Sequence, residues 1–142
     1  MKNSISVKYT GETTMDINVT LQQASEPVAV MHLRGNIDAS NFVQIVDKAH
    51  KIYKNPARNL ILDLRDVSSI SSTGIAAIHK IALIYSDVSG ELTHPDQTHS
   101  SSARKYVKLL SPQPEVEKAL ETAGLKLFFK VFRDLESALK SF

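Results

Sequence analysis

The 142-residue sequence contains no cysteine. Disulfides, thiol catalysis and thiolate metal sites are thereby excluded, although that absence does not fix the compartment. Neither sign of charge dominates. The 17 basic and 15 acidic residues are spread along the chain and leave a net charge of +2, so there is no electrostatic footprint for nucleic acid or an anionic membrane. No run approaches the ~18 apolar residues that suggest a membrane span, and Met1 to Asn18 has no apolar core of the kind a signal peptide carries. The expectation is a soluble, cytoplasmic protein with no nucleic-acid and no membrane partner.

The familiar catalytic signatures are missing as well. There is no glycine-rich phosphate loop, dinucleotide fingerprint, nucleophile elbow or HExxH sequence. No cofactor and no metal is implied. His94 and His99 stand five apart in a polar stretch and read as a chance pair. His79 on a helix reads as a surface or partner-facing residue, and His32 and His50 as ordinary solvated or hydrogen-bonded ones. The chain is not expected to be an enzyme.

What remains is an ordinary globular composition, 42% hydrophobic and 23% charged. A chain of this length fits one domain and can bury roughly 70% of its unfolded surface, so it needs no staple. Residues 1–14 are polar and read as a loose arm or edge strand. Met15, Ile17, Val19 and Leu21 alternate with polar residues, which is the period of a half-buried strand. Val28 to Leu33 is a second strand, ended by the turn Arg34-Gly35-Asn36.

Ala39 to Tyr53 is helical in period, with Phe42, Val46, Ala49 and Tyr53 as the apolar face, Asp38 or Ser40 as N-cap, and Asn55-Pro56 as the stop. Leu60 to Leu64 has the unbroken apolar character of a central strand. A polar connection, Asp66 to Ser72, leads to a helix over Thr73 to Ser86 and, later, a short strand over Val107 to Leu110. Ser111-Pro112-Gln113-Pro114 starts a helix with Val116, Leu120 and Ala123 inward and Gly124 as its stop. Leu127 to Phe132 reads as the last strand, and Asp134 as the cap of a terminal helix carrying Leu135 and Leu139. Residues 87–105, rich in Gly, Ser, Thr, His, Pro and Gln, read as a long mobile loop inserted in the domain. Strands alternating with helices after an opening pair of strands imply an α/β fold, a mixed sheet with helices packed against it.

One segment carries chemistry. After the strand Leu62-Asp63-Leu64 comes Ser71-Ser72-Thr73-Gly74, a turn crowded with hydroxyls at the start of a helix. Capping needs one hydroxyl. The others fit a phosphoryl acceptor, because a helix N-terminus offers free N–H donors and a partial positive charge; Gly74 would keep the turn open. On the following helix Ile75, Ile78, Ala82 and Tyr85 form an apolar stripe, while Ala76 and Leu83 fall on the other side beside Lys80. A helix apolar on nearly all sides is either buried or docks a partner.

Val30 to Asp38, Leu60 to Leu64 and Ile70 to Ile75 together resemble the STAS domain of bacterial anti-sigma factor antagonists. The combination of Gly35-Asn36-Ile37-Asp38 with Ser72-Thr73-Gly74 carries the resemblance, which runs over residues 15–142. It implies a STAS-like domain whose phosphoacceptor is Thr73, with Ser72 as second candidate, and whose neighbouring loop aspartate is Asp38; with the outer side of the second helix read from its apolar pattern, the expected partner surface is Asp38, Ser71, Ser72, Gly74, Ala76, Lys80 and Leu83. Asp63 matches the family's aspartate at the end of the central strand. The implied partners are an anti-sigma factor with serine/threonine kinase activity and a serine/threonine phosphatase. Many relatives have an aspartate where this chain has Ser71, two residues before the acceptor. Two other readings stand beside this one: a non-switching scaffold in a larger signalling complex, and an enzyme built on Asp38, Asp63 and Thr73, for which no base or phosphate cradle is visible.

Overall fold

The computed structural model describes residues 15–54, 58–85 and 105–142. The expected N-terminal arm, the Asn55-Pro56 helix stop and the inserted loop as far as residue 104, with His94 and His99, lie outside the described residues. Within them the chain runs β1 (Asp16–Gln23), β2 (Pro27–Arg34), α1 (Phe42–Lys54), β3 (Asn59–Asp66), α2 (Ser72–Tyr85), β4 (Val107–Leu110), α3 (Pro114–Thr122), a 3-10 turn (Leu125–Leu127), β5 (Lys130–Phe132) and α4 (Leu135–Lys140). The five strands form one sheet in the order β1-β2-β3-β4-β5. The β1–β2 pair is antiparallel and the other three pairs are parallel. This is the mixed α/β sheet that the alternation of periods implies.

Strand β3 lies at the centre, and Asn59 to Leu64 are all buried. Side chains alternate across a strand, so Leu60, Leu62 and Leu64 enter the main core with Ala29, Met31 and Leu33 of β2 and with residues of α1 and α2. Ile61 enters a smaller core on the other face, with Val28, Val30, Leu110 and Ala138 of α4. Each fully buried aliphatic side chain of this kind contributes roughly 1.5–3 kcal/mol. Tyr85 closes the main core from α2: its hydroxyl donates to the Ala49 carbonyl at 3.2 Å, and its ring meets Tyr53 edge-on at 5.0 Å.

Several local expectations shift. The inward face of α1 is Ile45, Ala49 and Ile52, whereas Phe42, Val46 and Tyr53 are half-buried; the helix is rotated so that Phe42 and Val46 turn toward α2's outer edge. Neither Asp38 nor Ser40 caps it. The residue before the helix is Asn41, which accepts from the Asp38 N–H (3.0 Å) and donates to the Asn36 carbonyl (2.7 Å). Ala123 is exposed at the end of α3, and the chain leaves through Gly124 at φ +80°, a left-handed conformation that favours glycine.

The expected strand over Leu127 to Phe132 shrinks to Lys130–Phe132. Leu127 ends the 3-10 turn and points outward, while Phe129 plugs the core. The apolar run there comes from a turn anchoring itself, which periodicity cannot distinguish from a strand. At the terminal helix, Asp134 accepts from the Ser137 N–H at 2.8 Å, the expected cap.

Candidate functional site

The turns after β2 and β3 are stitched into one unit. Ile37 and Ile70 form a parallel bridge. The Ile37 N–H donates to the Ser69 carbonyl (3.0 Å), and the Ser71 N–H donates to the Ile37 carbonyl (2.9 Å). Ser68 Oγ adds a bond to Asn36 Oδ1 at 2.7 Å. Asp38, half-buried on the first turn, is held by its own neighbours: its Oδ1 accepts from the Ser40 N–H (2.9 Å) and the Ser40 hydroxyl (2.6 Å). Two segments more than thirty residues apart in sequence are thus brought side by side, with Asp38 beside the hydroxyl-rich turn.

In that turn the hydroxyls divide their work. Ser71 Oγ accepts from the Gly74 N–H at 3.0 Å, and the Ser71 carbonyl accepts from the Ile75 N–H at 2.9 Å. Ser71 is therefore the N-cap of α2. Ser72 and Thr73 are exposed, and among the described residues nothing hydrogen-bonds to either hydroxyl. Gly74, expected to keep the turn open, has a further role. It is buried, and a β-carbon there would collide with the Ile37 carbonyl oxygen and stand 2.8 Å from Ile70 Cγ1. The glycine lets the two turns touch.

Along α2, Thr73, Ala76 and Lys80 are exposed in one row, continued by the half-buried Leu83 and Ile84. Gly74, Ala77, Ile78, Ile81, Ala82 and Tyr85 are buried, and Ile75 is half-buried. His79, expected as a surface or partner-facing residue, is half-buried and meets Phe128 edge-on at 5.2 Å. Reading the sequence missed the contribution of α1. An open groove of about 400 Å³ runs between Lys80 and Ile84 on one side and Phe42, Val43, Val46 and His50 on the other. Val43 is 74% exposed. Its position off the inward stripe of α1 is the signal that could have found it.

Asp63 does not join this constellation. It alternates with Leu62 and Leu64, so its side chain faces away from the layer of α1 and α2. There it is nearly buried, at 4% exposure. Its Oδ2 accepts from His32 Nδ1 (2.7 Å) and from Arg65 (3.0 Å), and its Oδ1 accepts from the Arg65 N–H (3.1 Å). His32 Nε2 in turn meets Thr20 Oγ1 at 3.2 Å. Burial alone would push the Asp63 carboxyl up. The hydrogen bonds from the Arg65 side chain and backbone and from His32 outweigh it, and the carboxyl is held below the usual range. This is a network tying β1, β2 and β3 together, and it gives Asp63 a structural occupation remote from Thr73.

Among the described residues no group of three or more His, Asp or Glu side chains could hold a metal ion. None of the described helices is long and apolar enough to cross a membrane.

No curated protein matches the chain. Solved structures share its fold. A protein of Thermotoga maritima, provisionally assigned as an anti-sigma factor antagonist, is 18% identical, with 87% of this chain and 92% of that one covered and a TM-score of 0.68. The anti-sigma factor antagonist SpoIIAA in its unphosphorylated form is 20% identical over 85% of this chain and 93% of that one, with a TM-score of 0.59. The phosphorylated form of SpoIIAA, a Bacillus cell fate determinant, is 19% identical over 85% and 96%, with a TM-score of 0.55. The family description STAS domain matches residues 19–93, more than half of the sequence. With the mixed sheet and the two stitched turns, that match places the chain: it belongs to the STAS domain family.

Proposed function

We propose that this protein is an anti-sigma factor antagonist switched by phosphorylation of Thr73. Unmodified, it binds an anti-sigma factor that carries serine/threonine kinase activity and so releases a sigma factor. The kinase's ATP then modifies Thr73: a bond forms between Thr73 Oγ and the γ-phosphorus, ADP leaves, and the hydroxyl proton passes to a base of the kinase. A serine/threonine phosphatase restores the free hydroxyl. The chain is a substrate and a binding partner, working in the cytoplasm, and the ATP chemistry belongs to its partner.

The observation that carries this reading is the division of labour at the start of α2. Ser71 supplies the cap, which leaves Thr73, with Ser72 beside it, exposed and spare. The partner surface would run from Asp38 and Ser71-Ser72 along Ala76, Lys80 and Leu83, with Gly74 beneath holding the turns together.

General magnitudes favour a switch that acts in the interface. A charge at an exposed helix start is worth only ~0.3–1 kcal/mol, whereas moving a complex from 99% to 1% occupancy needs about 5.5 kcal/mol. A phosphate of charge about −2 brought into a fitted contact close to Asp38 can supply several kcal/mol of repulsion and desolvation.

The test is incubation of the purified chain with an anti-sigma kinase and ATP, with the phosphate mapped by mass spectrometry. Modification at Thr73 and release of the partner are expected. Modification confined to Ser71 or Ser72 overturns the assignment of the acceptor. A stable complex with no phosphorylation would instead favour the non-switching scaffold, a reading that Ser71 in place of the usual aspartate supports.

A further inference from the structure

The groove between α1 and α2 is walled by two ordered rows of side chains. On one wall Phe42, Val46 and His50 stand four residues apart, and on the other Lys80 and Ile84 do the same. Rows at i and i+4 are the ridges between which the side chains of another helix settle. The row on α1 covers about 12 Å of helix axis, the length of two turns. Val43 lies beside it, 74% exposed, and covering so apolar a side chain is favourable in proportion to the area removed from water. An extended segment, whose side chains alternate every second residue, matches neither row.

The walls also select a sign of charge. Helices α1 and α2 together carry four lysines against one aspartate, a net +3 where the whole chain has +2. Asp47, that one acid, lines the groove and is met by Lys51 at 3.1 Å. Lys80 on the opposite wall is exposed. Among the described residues Lys80 forms no ion pair, unlike Lys51, Lys126 and Lys140. It continues the exposed row that starts at Thr73, about 10 Å further along α2. The groove therefore runs on from the surface around the proposed acceptor.

We propose that this groove seats an amphipathic helix of the anti-sigma factor, with its apolar ridge against Val43, Val46 and Ile84 and an aspartate or glutamate of that helix set on Lys80. The inference rests on the partner reading above and adds the kind of segment that is recognised. The apolar ridge holds the helix, and the carboxylate fixes its register, because a helix seated out of register would cover the ammonium of Lys80 without a partner.

The unmodified full chain is mixed with the anti-sigma factor kinase in the absence of ATP. The complex is treated with a carbodiimide, which joins an ammonium to a carboxylate in direct contact. Mass spectrometry is expected to find Lys80 joined to one aspartate or glutamate that has Leu, Ile, Val, Met or Phe three and four residues away. Lys80→Glu, at an exposed position that leaves the core intact, should weaken the complex about tenfold. Changing the joined acid of the kinase to lysine should then restore the affinity. A complex in which Lys80 stays unjoined, or joins an acid outside such a segment, overturns the seated helix and leaves the antagonist reading standing. An affinity that Lys80→Glu leaves within about twofold does the same. Failure of the two proteins to associate at all overturns both.

Discussion

The carbonyl oxygen of Ile37 occupies the space that a β-carbon on residue 74 would need, so Gly74 is what allows the turns after β2 and β3 to meet. The contact lies under the Thr73 turn and is reinforced by the bond from the Ser71 N–H to that same carbonyl. Stability and the presentation of Thr73 therefore depend on one small residue. Gly74→Ala should cost about 2–3 kcal/mol, as overpacking against rigid backbone does. Urea denaturation would show it as a lower midpoint, and partner binding should weaken in parallel. An unchanged midpoint would mean the two turns can separate freely.

Ser71 and Thr73 should respond differently to loss of their hydroxyls. Ser71→Ala removes the cap to the Gly74 N–H and should cost about 1 kcal/mol. Thr73→Ala touches no described hydrogen bond and should stay within about 0.5 kcal/mol of the parent, keeping partner binding while abolishing phosphorylation. Ser71→Asp should retain the cap, since aspartate serves equally well there. Thermal unfolding of the three variants side by side checks the order.

Acid should weaken the fold through Asp63. Its carboxyl titrates below the usual range when folded, so the unfolded state binds the proton more readily. The contribution is fully present above the ordinary carboxylate pKa of about 4 and is lost as pH falls below it through the lower folded value. Asp63→Asn should cost about 2 kcal/mol at neutral pH, through weakened bonds to Arg65 and His32, and should flatten the loss of stability below pH ~4. Denaturation midpoints across that window, compared with the parent, are the measurement. Partner binding at neutral pH should survive, because Asp63 faces away from α2.

The outward row of α2 can be tested without disturbing the core. Ala76→Glu and Lys80→Glu alter exposed positions and should change stability by no more than about 0.5 kcal/mol. Val43→Asp, at a position 74% exposed on the facing edge of α1, should do the same. Each is expected to weaken capture of the anti-sigma factor about tenfold or more, as losing a well-packed interface residue does. Calorimetry on folded variants would separate this from a surface row that merely faces water.

The strands with unambiguous alternation or unbroken apolar runs, β1 to β4, were legible because side-chain period follows directly from backbone geometry. The hydroxyl cluster was legible as a site for a similar reason: capping needs one hydroxyl and the chain supplies three. What failed were features set by neighbours distant in sequence. The face of α1 turned by about one residue because the helix shares one core with β2 and α2, and in the Leu127-Phe128-Phe129 run Leu127 ends a 3-10 turn and points outward, Phe128 packs partly buried against the core and Phe129 is buried in it.

From the sequence by itself came the α/β class, the order of elements and the resemblance that points to Thr73, since these depend on local period and local motif. The tertiary structure alone decided which hydroxyl is the cap, why residue 74 must be glycine, and that Asp63 belongs to a network on the opposite sheet face. Each of those depends on a contact across the sheet or between turns: Ile37 with Gly74, Ile37 with Ser71, His32 with Asp63. Such contacts exist only once residues some thirty or more positions apart have been packed together.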